Sequence, residues 1–318
     1  MVFINNITKK TSYKLIKSYR EKHIEKHKEI QLSQDVDKDP DSVYSIICEA
    51  INSNNPCMIS RFGSNELDAT LNFRKGHPLS FLRTIFPFWA GKITKERMLT
   101  NAGFFPNNNK SLARFADHIL NIVGDIDILG SWLEHEGVCP FNPNCKKVDI
   151  IYLVPFWSKE PWTATLKGKK VLVVHPFEDS IKRQYAKREL LFNNKDLLPE
   201  FASLTVIKAI QSIGGETNGF NSWFDALKYM EDEIDKVDYD VALIGCGAYG
   251  MPLASHCKRM GKKGVHLGGA LQLLFGIRGK RWETEQDIYK QFMNEYWIRP
   301  LESERPSSAI NVENACYW

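Results

Sequence analysis

The feature that most constrains this chain is a series of short runs, most of them built around an apolar stretch that does not alternate. They are CMIS (57–60), DIDILGSW (125–132), KVDIIYLVPF (147–156), KKVLVVHPF (169–177), SLTVIKAI (203–210), DYDVALIGCGAYG (238–250) and KGVHLGG (263–269). A strand with one wet face alternates apolar and polar residues; a strand covered on both faces does not. Between the runs lie stretches with helical apolar spacing, at 41–52, 64–75 and 111–123. Strand and helix in alternation predict an α/β fold. It is a Rossmann-like, mostly parallel sheet with helices on both faces. The reading is one such domain over 41–318, preceded by an N-terminal helical extension over 1–40. No internal repeat interrupts it.

In a sheet of this kind ligands bind beyond the carboxyl ends of the strands, and the unusual residues cluster there. CMISRFGSNELDA ends its strand on Arg61, turns at Gly63 and Ser64, and brings Glu66 onto the first turn of a helix. There Glu66 serves either an ion pair with Arg61 that braces the turn, or a general base or sugar contact. HPFEDSIKRQY places His175 at a strand end, as a base, a phosphate contact or a hydrogen-bonded structural residue, with Lys182 and Arg183 on the next helix. Those two are a diphosphate clamp or i,i+4 partners of Glu178 and Asp179 on a solvated face. PFWSKEPW adds Phe156, Trp157 and Trp162, as ring-stacking residues or as a cap over the sheet. CYW at 316–318 raises the same choice.

IGCGAYG gives Gly245, Gly247 and Gly250, with Tyr249 between them, in a G-x-G-x-x-G that follows a strand and precedes a helix. Such a turn lets backbone amides approach a phosphate. A dinucleotide site needs an acid about 20 residues on, and no Asp or Glu occurs from Val241 to Trp282. A methyltransferase loop carries a carboxylate two residues before its first glycine, where this chain has Leu243, and only 68 residues follow Gly250. A methyltransferase dependent on S-adenosylmethionine is therefore the last-ranked alternative. Beyond the turn stand His266 and Gly268, then Arg278, Lys280 and Arg281 in GIRGKRW, a cationic group suited to a diphosphate. The earlier cations from Lys258 to Lys263 read as a solvated helix face.

Composition narrows the classes further. A net charge of +4 over 318 residues is too small to indicate a nucleic-acid surface. Seven scattered cysteines without a second zinc-type pair fit a reducing cytoplasm. No run is long enough to span a bilayer. The basic segment TKKTSYKLIKSYREKHIEKHKEI reads first as a solvated helix, with peripheral contact at the inner membrane face as the competing reading.

SRFGSNELDA resembles the R-x-G-D-G-E signature at the first strand end of the GT-D type glycosyltransferases, nucleotide-sugar-dependent enzymes of bacterial surface-glycan assembly. The likeness extends in outline from about residue 40 through LIGCGAYG and HLGGALQLLFGIRGKRW to NEYWIRP and CYW. Carried over, the family Arg falls on Arg61, the Gly on Gly63 and the Glu on Glu66; the Asp is replaced by Ser64 and the second Gly by Asn65. The resemblance implies a nucleotide-sugar donor, a glycan or lipid-linked hydroxyl acceptor, and a divalent cation, Mn²⁺ or Mg²⁺, held through Glu66. With the Asp gone, that cation has lost one of its acids. The expected function is sugar transfer in surface-polysaccharide assembly. The alternative is a catalytically degenerate protein that binds a nucleotide-sugar or a partner.

Overall fold

The computed structural model describes residues 36–74, 90–311 and 315–318; the helical extension expected over 1–40 lies almost wholly outside them. Seven strands form one sheet in the order β3-β2-β1-β7-β6-β4-β5. They are β1 Cys57–Arg61, β2 Ile128–Ser131, β3 Lys146–Asp149, β4 Lys170–His175, β5 Ser203–Lys208, β6 Val241–Ile244 and β7 Lys263–His266. Every pairing is parallel. The apolar runs predicted this, because each inner strand must bury both faces.

Alternate residues divide between two cores. Val171 and Val173 of β4 and Leu243 of β6 point to one face; Leu172, Val174, Ala242 and Ile244 point to the other. On the first face pack α1 (Pro40–Asn52), α5 (Glu178–Tyr185), α6 (Arg188–Leu191), α9 (Leu271–Leu274) and α10 (Lys280–Thr284). On the second pack α2 (Ser64–Phe73), α4 (Asn109–Ile122), α7 (Trp223–Asp235) and α8 (Gly250–Arg259). A further helix, α3 (Ala90–Thr100), lies between α2 and α4 in the chain.

Local chemistry sets the helix starts. Asp39 accepts the Ser42 N–H at 2.7 Å and Pro40 opens α1, whose Val43, Tyr44, Ile47 and Ile51 make one buried stripe. Asn108 caps α4 in the same way through the Ser111 N–H, 2.9 Å. At Gly264 a β-carbon would come within 2.5 Å of the Ala254 carbonyl, so glycine here lets α8 lie directly on β7.

Two sequence expectations change. The run from 147 to 156 is not one strand: β3 stops at Asp149, whose carboxylate accepts the Ile151 N–H at 3.1 Å, and Ile150–Leu153 turn into a 3₁₀ helix. A side chain that bonds the backbone two residues on competes with the ladder, and here it wins. The cations at the end of α8 are not simply solvated. Lys258 bonds Asp127 at 2.7 Å and Arg259 bonds Asp125 at 2.7 Å, tying the helix to the start of β2.

The chain leaves β1 towards α2 on one face and leaves β7 towards α9 on the other. These two neighbouring strands thus part company at their carboxyl ends, which opens a crevice between their loops.

Candidate functional site

A cleft of about 1050 Å³ occupies that crevice and runs along the carboxyl edge of the sheet. From β1 it takes Arg61, Gly63, Ser64 and Glu66; from β7, His266 and Gly268; from β6, Gly245, Gly247 and Tyr249; from β4, His175; and from α10, Arg281. The structure therefore brings together most of the residues singled out at the strand ends.

Glu66 lies on the first turn of α2 and folds back over Gly63, where a β-carbon would meet its carboxylate at 1.9 Å. Only glycine allows that placement. Burial raises the Glu66 pKa, Arg61 opposes the rise, and the carboxyl group is held above its ordinary range. Burial likewise works against the charge on Arg61, with Glu66 and then Tyr317 working for it. The two residues thus influence each other's ionisation across the Gly63 turn. On Arg281 burial is outweighed by Tyr317, which accepts its Nη1–H at 2.9 Å, and the pKa rises. The cleft so contains two guanidinium groups and a carboxyl group that burial holds above its ordinary range.

His175 accepts the Phe177 N–H at Nδ1, 3.0 Å, so its proton sits on Nε2. Burial lowers its pKa to about 3. With Nδ1 engaged and the ring neutral, His175 has no lone pair free to take a proton; the bond to Phe177 matches the structural role expected of it, and towards the cleft the ring can act only as a donor, not as a base. His266 pairs Nδ1 with Ser60 Oγ at 3.1 Å. Burial and then Arg61 lower its pKa to about 3, and its Nε2 has no hydrogen-bond partner. Beside it is a small cavity of about 10 Å³, bordered by Glu66, Gly247 and Ala248.

The glycine turns follow β6 and β7. Gly247 (φ 58°) and Gly268 (φ 63°) hold the left-handed conformation that glycine adopts without strain. Each turn continues as a 3₁₀ helix, Gly247–Tyr249 and Gly268–Ala270. The first amides of such a turn have no carbonyl within it to bond. Gly245 lies so near the second turn that a β-carbon would approach the Gly268 carbonyl to 2.6 Å.

Other expected residues stand elsewhere. Gly250 is beneath His266, outside the cleft wall. Lys182 and Arg183 are exposed on α5, and Lys182 pairs with Glu178 at 2.5 Å. The start of α5 is already filled by Glu304, which accepts the Asp179 N–H at 2.7 Å and the Ser180 N–H at 3.2 Å. No diphosphate clamp forms there, because a carboxylate holds the amides an anion would need. Arg278 lies 3.7 Å from Glu283, and Lys280 is exposed; neither lines the cleft. Of the aromatic group, Trp162 is fully buried with Nε1 donating to the Leu153 carbonyl at 3.0 Å, so it caps the sheet. Tyr249 lines the cleft but stacks on Trp223 (4.9 Å between centroids) and bonds Ser212 Oγ at 2.7 Å, which makes it mainly a support.

Three contributors escaped the sequence reading. Trp132 directly follows β2 and lines the cleft; the rule that picked Arg61 at a strand end picks it equally. Glu136, buried, accepts from Ser131 Oγ at 2.7 Å and from the Trp132 and Leu133 amides at 3.3 Å, fixing the turn that carries Trp132. Gln272 is fully buried in the cleft wall, and its Oε1 has no partner. Nothing in its sequence neighbourhood marks it.

The donor set does not fit a resident hard cation. Glu66 stands next to Ser64 where a second acid was needed, and among the described residues no three His, Cys, Asp or Glu side chains converge. Comparisons with family models, with curated proteins and with solved structures find no match for this chain.

Proposed function

We propose that the cleft binds a nucleotide-sugar and transfers its sugar to a hydroxyl acceptor, a glycan or a lipid-linked saccharide. One observation carries the reading. Arg61, Arg281 and the glycine turns after β6 and β7 line the same cleft as Glu66, which opens where β1 and β7 diverge. Cations and amides match a diphosphate, the leaving group on which charge develops during transfer. Glu66, made a stronger base by burial and placed on the cleft wall, takes the proton of the acceptor hydroxyl. His175 donates Nε2–H to a donor oxygen. No step is assigned to a metal.

A second reading has its own support. Ser64 in place of an acid favours a protein that binds a nucleotide-sugar without turning it over. A thermal-shift panel of nucleoside diphosphates and nucleotide-sugars, each with Mn²⁺ and with EDTA, tests binding, since a ligand of the native state raises the melting temperature. Stabilisation by one nucleotide class supports both readings, and no response from any compound removes both. Turnover of the bound donor then separates them: Glu66→Gln abolishes transfer and keeps binding in a transferase, while a binding protein shows no transfer to lose.

A further inference from the structure

Trp132 is 46% exposed although it stands on the wall of a concave site. A tryptophan left this open is ordinarily free to reorient; this one is not. Its Nε1 donates to the Phe62 carbonyl at 2.9 Å, which ties the ring to the end of β1. Its backbone amide is held by the buried Glu136 carboxylate. The Arg61 guanidinium lies over the ring, 5.5 Å from its centroid, a cation–π contact that supports it from within the protein. The rest of the ring stays open to the cleft. Ordering an indole in this way costs conformational freedom, and the outcome is a preformed flat apolar surface.

We propose that Trp132 is the stacking platform for the base of the nucleotide, an inference that rests on the nucleotide-sugar reading above. Position and surroundings favour the base over the sugar. Trp132 is at the end of β2, two strands from the Gly268 turn at the end of β7, about 10 Å at the usual strand spacing. A ribose bridges such a gap between the diphosphate and the base. Around Trp132 the cleft wall is aliphatic, with Ile150, Ile151 and Leu153; Leu153 packs on Gly130 so closely that a β-carbon there would lie 2.4 Å from its Cδ1. Sugar hydroxyls need polar partners; past the β7 turn, on the side away from β2, the cleft offers His175 and Gln211. A base presents a π-face of its own, and stacking on an indole accepts it with little regard to its identity. Discrimination among bases therefore falls to their edges.

Isothermal titration of the full chain with nucleoside diphosphates and with inorganic pyrophosphate tests the platform. Trp132→Ala is expected to weaken the best nucleoside diphosphate at least about tenfold and to leave pyrophosphate within about twofold. Trp132→Phe, which keeps a flat face, restores most of the nucleotide affinity; Trp132→Leu, which keeps only apolar bulk, does not. Equal loss of pyrophosphate and nucleotide, or equal rescue by Leu and Phe, overturns the proposal. So does unchanged affinity for the nucleoside diphosphate with weakened binding of its sugar conjugate, which would make Trp132 a sugar platform. If the wild type binds neither pyrophosphate nor any nucleotide, the transferase reading fails, and the platform with it.

Discussion

His266 Nδ1 pairs with Ser60 Oγ at 3.1 Å across the β1–β7 seam, and the far side of the ring rests on Gly250. A β-carbon at Gly250 would come within 2.3 Å of both Cδ2 and Nε2 of that ring. The backbone at Gly250 is ordinary helix (φ −63°, ψ −46°), so conformation does not require glycine there. Helix propensity alone would make Gly250→Ala stabilising by up to about 1 kcal/mol. The contact predicts the opposite sign, a loss of about 1–3 kcal/mol from overpacking. Chemical denaturation decides between them; a variant at least as stable as wild type would show that the His266 ring yields freely.

The buried imidazoles carry a pH dependence with a definite sign. His175 and His266 have folded pKa values of about 3, below the ordinary 6.5, because burial disfavours their charged forms. Below pH 6.5 the unfolded chain binds protons that the native chain does not, so these groups make stability rise with pH between about 3 and 6.5. Each contributes a slope of up to about 1.4 kcal/mol per pH unit in that window. Glu66 and Glu136, both raised by burial, act in the reverse direction as pH rises through their own range. The two effects separate in an NMR titration of the imidazole carbons. His175 and His266 are expected to stay neutral from pH 8 down to 5, and a midpoint near 6.5 for either would contradict the burial argument.

Glu304 closes the start of α5. Its buried carboxylate accepts from the Asp179 and Ser180 amides and from Ser180 Oγ, and Ser180 Oγ in turn accepts the Leu301 N–H at 3.0 Å. Removing the acceptor strands several donors at a helix N-terminus. Glu304→Ala is therefore expected to cost about 2–3 kcal/mol, and Glu304→Gln, which retains one acceptor oxygen, clearly less. Urea unfolding of the two variants measures this. Equal losses from both would mean that packing, not hydrogen bonding, is what Glu304 supplies.

The fold was legible because its cause is local. Val171 to Val174 and Val241 to Ile244 are short, rich in β-branched residues and flanked by turns, which reads as doubly covered strands. The strand-end rule then located Arg61, Glu66, His175 and the two glycine turns without any knowledge of strand order. Strand order itself was not legible: nothing near Cys57 says that Lys263 pairs beside it. For the same reason the choice between the two readings of Lys182 and Arg183 was not legible. The residue that decides their case, Glu304, is more than a hundred positions away, and it fills the anion position at α5 through a contact that no periodicity encodes. Gln272 shows the other limit. Its place in the cleft depends on where the 315–318 segment returns, since its Nε2 donates to the carbonyls of Ile277 at 3.2 Å and Tyr317 at 3.3 Å.

Those two bonds also fix which way the Gln272 amide faces. A flipped amide would set Oε1 against two carbonyl oxygens, so Oε1 must be the atom left without a partner. A fully buried acceptor in that state costs about 1–3 kcal/mol unless something donates to it. On the nucleotide-sugar reading proposed above, we take that donor to be a hydroxyl of the sugar. Gln272→Met keeps the volume and removes the acceptor. It should weaken the nucleotide-sugar about 5- to 10-fold, the worth of one net hydrogen bond of about 1–1.5 kcal/mol, while leaving the matching nucleoside diphosphate unchanged. Titration calorimetry with the two ligands, on a variant whose circular dichroism matches wild type, gives the answer. Equal weakening of both would move the partner to the nucleotide. Loss of neither would mean that an ordered water already satisfies Oε1 and that Gln272 plays no part in choosing the sugar.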